Sequence, residues 1–311
     1  MTVVALSGGV GGAKLALGLS RILPKEELLV VCNTGDDFEH LGLCISPDID
    51  TVMYTLAGVA NPDVGWGRAD ETWSFMETLG TLGGETWFRL GDRDVAVHVE
   101  RTRRLRGGET LSAITTDLCA RLDVAARVLP MSDDPVRTRV RTDQGWIDFQ
   151  EYFVRRRCEP VVHELAFHGA STARAQPDFL AALTNPGTKA VVICPSNPFI
   201  SIEPILAVPG VRTALAECAA PVIAVSPIIG GRAIKGPTAK MMAELGMTPS
   251  AGGVARRYDE LIDGYVCDFA DMDQAAGVSA KVTLAQTLMT TLADREALAR
   301  VVLSAARMLR R

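Results

Sequence analysis

The amino-terminal segment constrains the fold of this chain more than any other part of the sequence. Val3 to Leu6 form a short apolar run, and a glycine-rich turn follows it directly. This pattern is typical of a buried parallel strand that ends in a tight turn. Apolar residues then recur at helical spacing from Ala13 onward, until Pro24 ends the segment. The sequence therefore predicts a strand, a glycine loop and a helix, which is the first unit of a parallel α/β fold.

The glycine loop predicts an anion site. Backbone N–H groups at a helix N-terminus attract phosphate, and glycines leave those groups uncovered. The predicted phosphate-binding or nucleotide-binding residues of this loop are Gly8, Gly9, Val10, Gly11 and Gly12. Glycine-rich turns between a strand and a helix also serve close packing alone, so the sequence leaves that alternative open.

Two common phosphate-binding motifs do not match this loop. A dinucleotide fingerprint needs glycine at the position of Lys14 and an acidic residue where Asn33 follows the second strand. A P-loop needs Gly-Lys-Ser/Thr, but this chain has alanine before Lys14 and leucine after it. These differences count against a nicotinamide-dependent oxidoreductase and leave a different kind of nucleotide or phosphate site.

Composition narrows the class of protein. The chain has 311 residues, of which 48% are hydrophobic, enough for one large domain or a domain with a sizeable insertion. Its formal net charge of -5 argues against a nucleic-acid partner. The seven cysteines show no paired metal-ligand spacing, which is typical of buried thiols in a reducing compartment. No apolar run reaches the roughly 20 residues that cross a bilayer, so we expect a cytoplasmic protein with no membrane partner.

Acidic residues follow the second predicted strand and open the next predicted helix. Leu28 to Cys32 form the strand, and Ser46 and Pro47 suit the start of the helix. The carboxylates of these two loops are Asp36, Asp37, Asp48 and Asp50. Because strand ends of a parallel sheet share one edge, we expect them beside the glycine loop, where they would suit a hard divalent cation. Helix capping and an ordinary turn are the alternatives.

The remaining chain divides by its pattern. We predict an α/β fold with a Rossmann-like, mostly parallel sheet flanked by helices, formed by residues 1–60 and 170–311. Residues 61–169 are predicted to form a mixed helical and hairpin insertion, with its turn near Asp143 to Gly145. Polar residues at strand ends extend the predicted nucleotide site: Asn33, Ser196, Asn197, Pro198 and Ser226. Four arginines are interpreted as a solvated helix face, with phosphate binding as the alternative: Arg101, Arg103, Arg104 and Arg106.

Six motifs in order carry a resemblance to a known family. They are GGVGGAKL, NTGDD, SPDIDTVMYTL, WFRLGDRD, PSNPFISI and SPIIGG. Together they resemble the 2-phospho-L-lactate transferase family of coenzyme F420 biosynthesis. The resemblance implies an enzyme that moves 2-phospholactate, enolpyruvyl phosphate or 3-phosphoglycerate from a GDP-linked donor to the deazaflavin Fo and releases GMP. It also implies Mg²⁺ as cofactor and is consistent with a homodimer.

The same resemblance implies roles for individual residues. Asp50 would be catalytic and would contact Fo, together with Arg89 and the neighbouring Trp87. The glycine loop would take the donor phosphates, and the loops at Ser196 and Ser226 would hold the guanosine. Magnesium would lie among Asp36, Asp37 and Asp50. The alternative is a non-catalytic, nucleotide-sugar-binding regulator of the same superfamily, against which Asp50 and the WFRLGDRD motif argue.

Overall fold

The computed structural model describes residues 2–234 and 236–309. Its strands are β1 (Val3–Ser7), β2 (Leu28–Cys32), β3 (Phe38–His40), β4 (Leu43–Ile45), β5 (Arg127–Pro130), β6 (Arg137–Thr142), β7 (Gly145–Asp148), β8 (Glu164–His168), β9 (Ala190–Ile193), β10 (Val222–Val225), β11 (Ile228–Ile229), β12 (Arg232–Ala233), β13 (Gly264–Asp268) and β14 (Lys281–Ala285). Its α-helices are α1 (Gly9–Ile22), α2 (Pro47–Ala57), α3 (Ser74–Thr81), α4 (Asp92–Arg106), α5 (Leu111–Arg121), α6 (Pro177–Thr184), α7 (Glu203–Leu206), α8 (Val211–Ala216), α9 (Thr238–Glu244), α10 (Ala251–Arg256) and α11 (Leu292–Leu309).

The central sheet has seven strands in the order β14-β13-β10-β9-β1-β2-β5, and every pair is parallel. Strand β1 lies between β2 and β9, so that Val3 is paired with Leu28 on one side and with Ala190 on the other. From β1 the chain builds the sheet first in one direction and then in the other. The carboxyl ends of β1 and β9 therefore form a topological switch point, where α/β proteins bind ligands. The predicted fold class is confirmed.

Helices cover both faces of this sheet, which explains the continuous apolar strands. Every residue of β1, β2, β9 and β10 is buried. One core joins the sheet to α1, α2, α5 and α11, and the other joins it to α6, α8 and α10. Helix α1 crosses α11 closely, because a Cβ atom at Gly18 would lie 2.1 Å from the carbonyl oxygen of Arg295. The glycine helix is thus held tightly within the first core.

The segment 61–169 contributes to the sheet as well as to its surroundings. It contains β5, which pairs with β2 as an edge strand of the sheet. The predicted hairpin is confirmed, since β6 pairs with β7 in antiparallel fashion across the turn before Gly145. Strand β8, which the sequence pattern did not reveal, pairs with the other side of β6. The boundaries of the insertion stay a prediction. Within the described ranges, no helix has the length and apolar character required to cross a membrane.

Candidate functional site

A cavity of about 690 Å³ opens at the carboxyl edge of the sheet, at the switch point between β1 and β9. The start of α1 and the loops after β9, β10 and β14 line one part of it. Helices α2 and α4 and residues 149–154 line the other part. Its size is in the range of small-molecule sites. The sheet topology therefore brings the amino-terminal loop and the predicted acceptor residues to one space.

The predicted glycine loop is the first turn of a helix. Helix α1 begins at Gly9, four residues before the start that the apolar spacing indicated, and Gly8 is its N-cap. Gly9 has a φ of +60°, a backbone conformation that residues other than glycine rarely adopt. The residues of this turn that line the cavity are Gly8, Gly9, Val10 and Gly11. The N-terminal end of α1, where a helix favours anions, therefore faces the cavity.

Close packing explains part of the glycine pattern. A Cβ atom at Gly11 would lie 2.2 Å from the carbonyl oxygen of Pro195, and one at Gly12 would lie 2.4 Å from Ser7 Oγ. Ser196 Oγ also donates to the carbonyl oxygen of Gly8 at 2.7 Å. Gly12 does not line the cavity, so its glycine serves packing between α1 and the loop after β9. Packing thus explains Gly12, whereas Gly11 both packs closely and lines the cavity.

Asn33 organises the acidic residues next to α1. Its side-chain Nδ2 donates to Asp48 Oδ2 at 2.9 Å and to Asp36 Oδ1 at 3.2 Å. Asp48 Oδ1 in turn accepts from the backbone N–H of Gly9 at 2.5 Å. Asn33 is fully buried and does not line the cavity. Its position supports a structural role, holding two carboxylates beside the helix N-terminus.

The acidic cluster concentrates negative charge in a buried place. Burial, together with repulsion from Asp48 and Asp37, raises the pKa of Asp36 well above its usual range. Burial also raises the pKa of Asp37 to about 7 and that of Asp48 to about 6. Among the described residues, Asp37 Oδ1 has no hydrogen-bond partner. Such a set of oxygen atoms fits a hard divalent cation, which would offset the repulsion.

Asp50 has a different partner. The guanidinium of Arg101 donates to both of its carboxylate oxygens, with 3.0 Å between Nη1 and Oδ2. Arg101 is fully buried, whereas Arg103 and Arg106 on the same helix are exposed. The interpretation of these arginines as a solvated face is therefore wrong for Arg101. Its signal in the sequence was the spacing of Asp94, His98 and Arg101, which places them on one side of α4.

The side chains around His98 are of types that bind metals, but Arg101 already contacts two of them, Asp50 and His98, through hydrogen bonds. Ligand atoms of Asp50, Asp94 and His98 lie within 4.8 Å of one another. Arg101 Nη1 lies 3.2 Å from His98 Nδ1, and a guanidinium can only donate, so Nδ1 accepts and Nε2 carries the proton. That Nε2 faces Asp94 Oδ1 at 3.4 Å. Arg101 thus occupies Nδ1, whereas Nε2 has no hydrogen-bond partner among the described residues.

The predicted metal ligands are only partly brought together. Asp36 and Asp50 line the cavity, and Asp48, which we had not included among the ligands, lines it as well. Asp37 lies off the cavity wall, and its Oδ2 accepts from Ser46 Oγ at 2.8 Å. Among the described residues, the three side chains whose potential metal-ligand atoms lie within 4.8 Å of one another are Asp50, Asp94 and His98.

The predicted deazaflavin contacts do not all line the cavity. Arg89 lines it, with its guanidinium carbon 4.2 Å from the centre of the Trp73 ring. Trp87 does not line it, because its ring packs against His40, with 5.0 Å between ring centres. Phe88 lines the cavity in its place, together with Phe153. The sequence indicated an aromatic contact here but not which ring faces the ligand.

The predicted guanosine loops largely reach the cavity. Ser196, Asn197 and Ser226 line it, and Pro198 does not. Asn197 Oδ1 accepts from the backbone N–H of Phe199 at 2.9 Å, so its side chain also caps the turn that follows.

Lys14 is a residue of the site that the sequence analysis missed. It lines the cavity, and its Nζ donates to the carbonyl oxygen of Met289 at 2.8 Å. Its spacing of three residues from Gly11 places it on the same side of α1. This spacing is present in the sequence and was a signal for Lys14.

Together, the parallel sheet, the helix N-terminus at its switch point and the acidic residues beside it define an α/β protein with a nucleotide-type or phosphate-type site. Comparison with known proteins agrees. A sequence model of the family described as 2-phospho-L-lactate transferase CofD matches residues 3–306. This chain belongs to that family, and it is a transferase of coenzyme F420 biosynthesis.

Its relatives extend over nearly the whole chain. It is 43% identical over 312 residues to a phosphoenolpyruvate transferase of Kitasatospora aureofaciens, covering 98% of this chain and 97% of that protein. A phosphoenolpyruvate transferase of Thermobifida fusca is 42% identical over 296 residues, covering 90% of this chain and 91% of that protein. The crystal structure of a UPF0052 family protein from Bacillus halodurans is similar in fold, with a TM-score of 0.65 at 12% identity, covering 97% of this chain and 98% of that one.

Proposed function

We propose that this chain transfers a phosphate-linked acid from a GDP-linked donor to the deazaflavin Fo and releases GMP. Of the three candidate groups, we favour enolpyruvyl phosphate over 2-phospholactate and 3-phosphoglycerate, because the relatives are named phosphoenolpyruvate transferases. The observation that carries the proposal is the single cavity that contains both the N-terminus of α1 and Asp50. Such a cavity would hold the donor diphosphate and the acceptor hydroxyl together.

The donor would occupy the part of the cavity at the switch point. The N-terminal turn of α1 provides backbone N–H groups and the positive end of the helix dipole for the diphosphate. Lys14 adds a positive charge next to that turn. The loops at Ser196, Asn197 and Ser226 would hold the guanosine, since they line the same cavity.

The acceptor would occupy the part next to α2 and α4. Phe88 and Phe153 provide an apolar wall for the deazaflavin ring, and Arg89 would donate hydrogen bonds at its edge. Asp50 would then meet the hydroxyl end of the acceptor. Because Arg101 donates to both oxygens of Asp50, this carboxylate is held in one orientation, and its main role would be to orient the hydroxyl.

The reaction would be an in-line displacement at phosphorus. The hydroxyl oxygen of Fo bonds to the phosphorus nearer the small acid, and the hydroxyl proton is released to water. The bond from that phosphorus to the bridging oxygen breaks, and GMP leaves with the bridging oxygen. Positioning by Asp50 and charge stabilisation by α1 and Lys14 would supply most of the catalysis. A magnesium ion, held by the predicted ligands Asp36, Asp37 and Asp50 and also by Asp48, would neutralise charge on the diphosphate oxygens.

The experiment that tests this function is a product assay. The enzyme would be incubated with Fo, Mg²⁺ and each of the three guanylylated donors, and the products would be weighed by mass spectrometry. We expect GMP and an Fo adduct, formed fastest from the enolpyruvyl donor. A regulator that only binds nucleotide-sugars would leave Fo absorbance and fluorescence unchanged on titration, and that result would reject the proposal.

The Lys14→Met variant is expected to bind GDP about 10-fold to 100-fold more weakly, which corresponds to the loss of one charge-assisted hydrogen bond of about 1.5–3 kcal/mol. Isothermal titration calorimetry would measure the change. Lys25→Met is the matched control, because Lys25 is an exposed lysine just after α1. Unchanged GDP affinity in Lys14→Met would show that the diphosphate lies elsewhere.

The Arg89→Ala variant is expected to raise the KM for Fo about tenfold with a smaller change in kcat, because Arg89 lines the acceptor part and would lose one charged contact. Steady-state kinetics with varied Fo would measure both constants. Arg93→Ala, also exposed and at the start of α4, is the control. A normal KM for Fo in Arg89→Ala would contradict the placement of the acceptor.

A further inference from the structure

We propose that Arg101 is a positioning residue of the acceptor site, one that acts on the reaction through Asp50. This inference rests on the proposed function, since it concerns how Asp50 meets the acceptor hydroxyl. Arg101 does not line the cavity, and it is fully buried in the described structure. Arg101 therefore cannot contact a substrate in the cavity, whereas Asp50, which lies between Arg101 and the cavity, lines it.

The contacts of Arg101 fix both the direction and the charge of Asp50. Its guanidinium is planar and donates to both carboxylate oxygens, so the carboxylate of Asp50 cannot rotate without losing one of these bonds. The side chain of Asp50 is only 7% exposed. With so little water around it, the negative charge of a carboxylate must be offset by a buried cation. Arg101 supplies that charge.

Arg101 is itself held by a chain of side chains on α2 and α4. Its Nη1 donates to His98 Nδ1 at 3.2 Å, and the opposite nitrogen of His98 faces Asp94. Asp94 Oδ1 also accepts from the hydroxyl of Tyr54 at 2.6 Å. Tyr54 lies on α2, the helix that also carries Asp50, so this hydrogen-bond network links α4 back to α2. The guanidinium and the carboxylate are thus fixed to the same two helices.

The position of α4 is fixed independently of this network. Thr102 Oγ1 donates to the carbonyl oxygen of His98 at 2.6 Å and accepts from the backbone N–H of Cys44 at 2.7 Å. The bond from Cys44 attaches α4 to strand β4, just before α2 begins. Substitution of Arg101 leaves this bond and the Tyr54–Asp94 bond between α2 and α4 in place, so we expect the variant to fold.

The test is a double-mutant cycle with Arg101→Met and Asp50→Asn, in which the double variant removes both charges of the pair. We expect Arg101→Met to lower kcat at least 30-fold when Asp50 is present, and less than threefold when residue 50 is asparagine. Arg101→Lys keeps the charge and should recover part of the rate. The KM for the guanylylated donor should change less than twofold throughout. Arg103→Met is the control, because that arginine of α4 is exposed and pairs with Glu100.

The outcomes separate this inference from the function on which it rests. An active wild-type enzyme in which Arg101→Met reduces kcat by the same factor with aspartate or asparagine at position 50 would overturn the inference alone, because the role of Arg101 would then be structural. The cycle would be repeated with Fo affinity, measured by fluorescence, to include variants without turnover. A wild-type protein that neither binds nor converts Fo would overturn both proposals.

Discussion

Replacement of Asp50 by alanine is expected to lower Fo-dependent GMP release by a factor of about 100 or more, which is the size of effect that loss of a positioned acid or base group produces. Asp50 lies in the first turn of α2, on the cavity wall, and Arg101 holds its carboxylate in one orientation. Without that carboxylate, the acceptor hydroxyl loses its alignment with phosphorus. Steady-state release of GMP at saturating Fo and donor would measure the effect.

The alanine variant needs a folding control. It leaves Arg101 as a buried charge without its carboxylate, which costs about 3–5 kcal/mol when a buried pair is broken. Asp50→Asn retains the volume and one acceptor oxygen, and it should remain folded with a similar loss of activity. Asp123→Asn, in the loop after α5, is the matched exchange away from the cavity. Near-normal turnover in a folded Asp50 variant would refute the catalytic role.

Replacement of Gly11 by alanine is expected to weaken GDP binding at least about tenfold and to destabilise the protein by about 1–3 kcal/mol. The added Cβ atom would lie 2.2 Å from the carbonyl oxygen of Pro195, so α1 must move away from the loop after β9. Both of these elements line the donor part of the cavity. Calorimetric titration with GDP and urea unfolding would measure the two effects.

Gly80→Ala is the control for this substitution. Gly80 lies within α3, and the nearest atom to an added Cβ would be the Cγ2 of Thr86 at 3.6 Å, an ordinary contact. Alanine favours a helix by about 1 kcal/mol over glycine, so this variant should be as stable as the natural chain or more so, with normal GDP affinity. If Gly11→Ala bound GDP normally, the α1 N-terminus would not be the diphosphate site.

Local patterns in the chain indicated the fold class and most of the central sheet. The buried strand β2 has the bounds that its apolar run indicated, and the hairpin of β6 and β7 lies where its alternation placed it. The start of α1 was displaced, because glycines carry no apolar signal although the backbone is already helical at Gly9. Strand β5 escaped detection for a related reason, since a four-residue edge strand has too short a pattern to be distinguished.

The site divides in the same way. The sequence already indicated a parallel α/β protein with a glycine turn and two acidic loops at one edge, because strand period, glycine clusters and helix caps are properties of neighbouring residues. The sequence did not indicate which side chains from distant segments contact each other. Arg101 is paired with Asp50, 51 residues away, and Lys14 reaches Met289, 275 residues away. The packing of α4 against the remaining chain decides whether Trp87 or Phe88 faces the cavity. It also decides which arginine of α4 is buried. Neither can be predicted from neighbouring residues, because burial arises only when distant segments pack together.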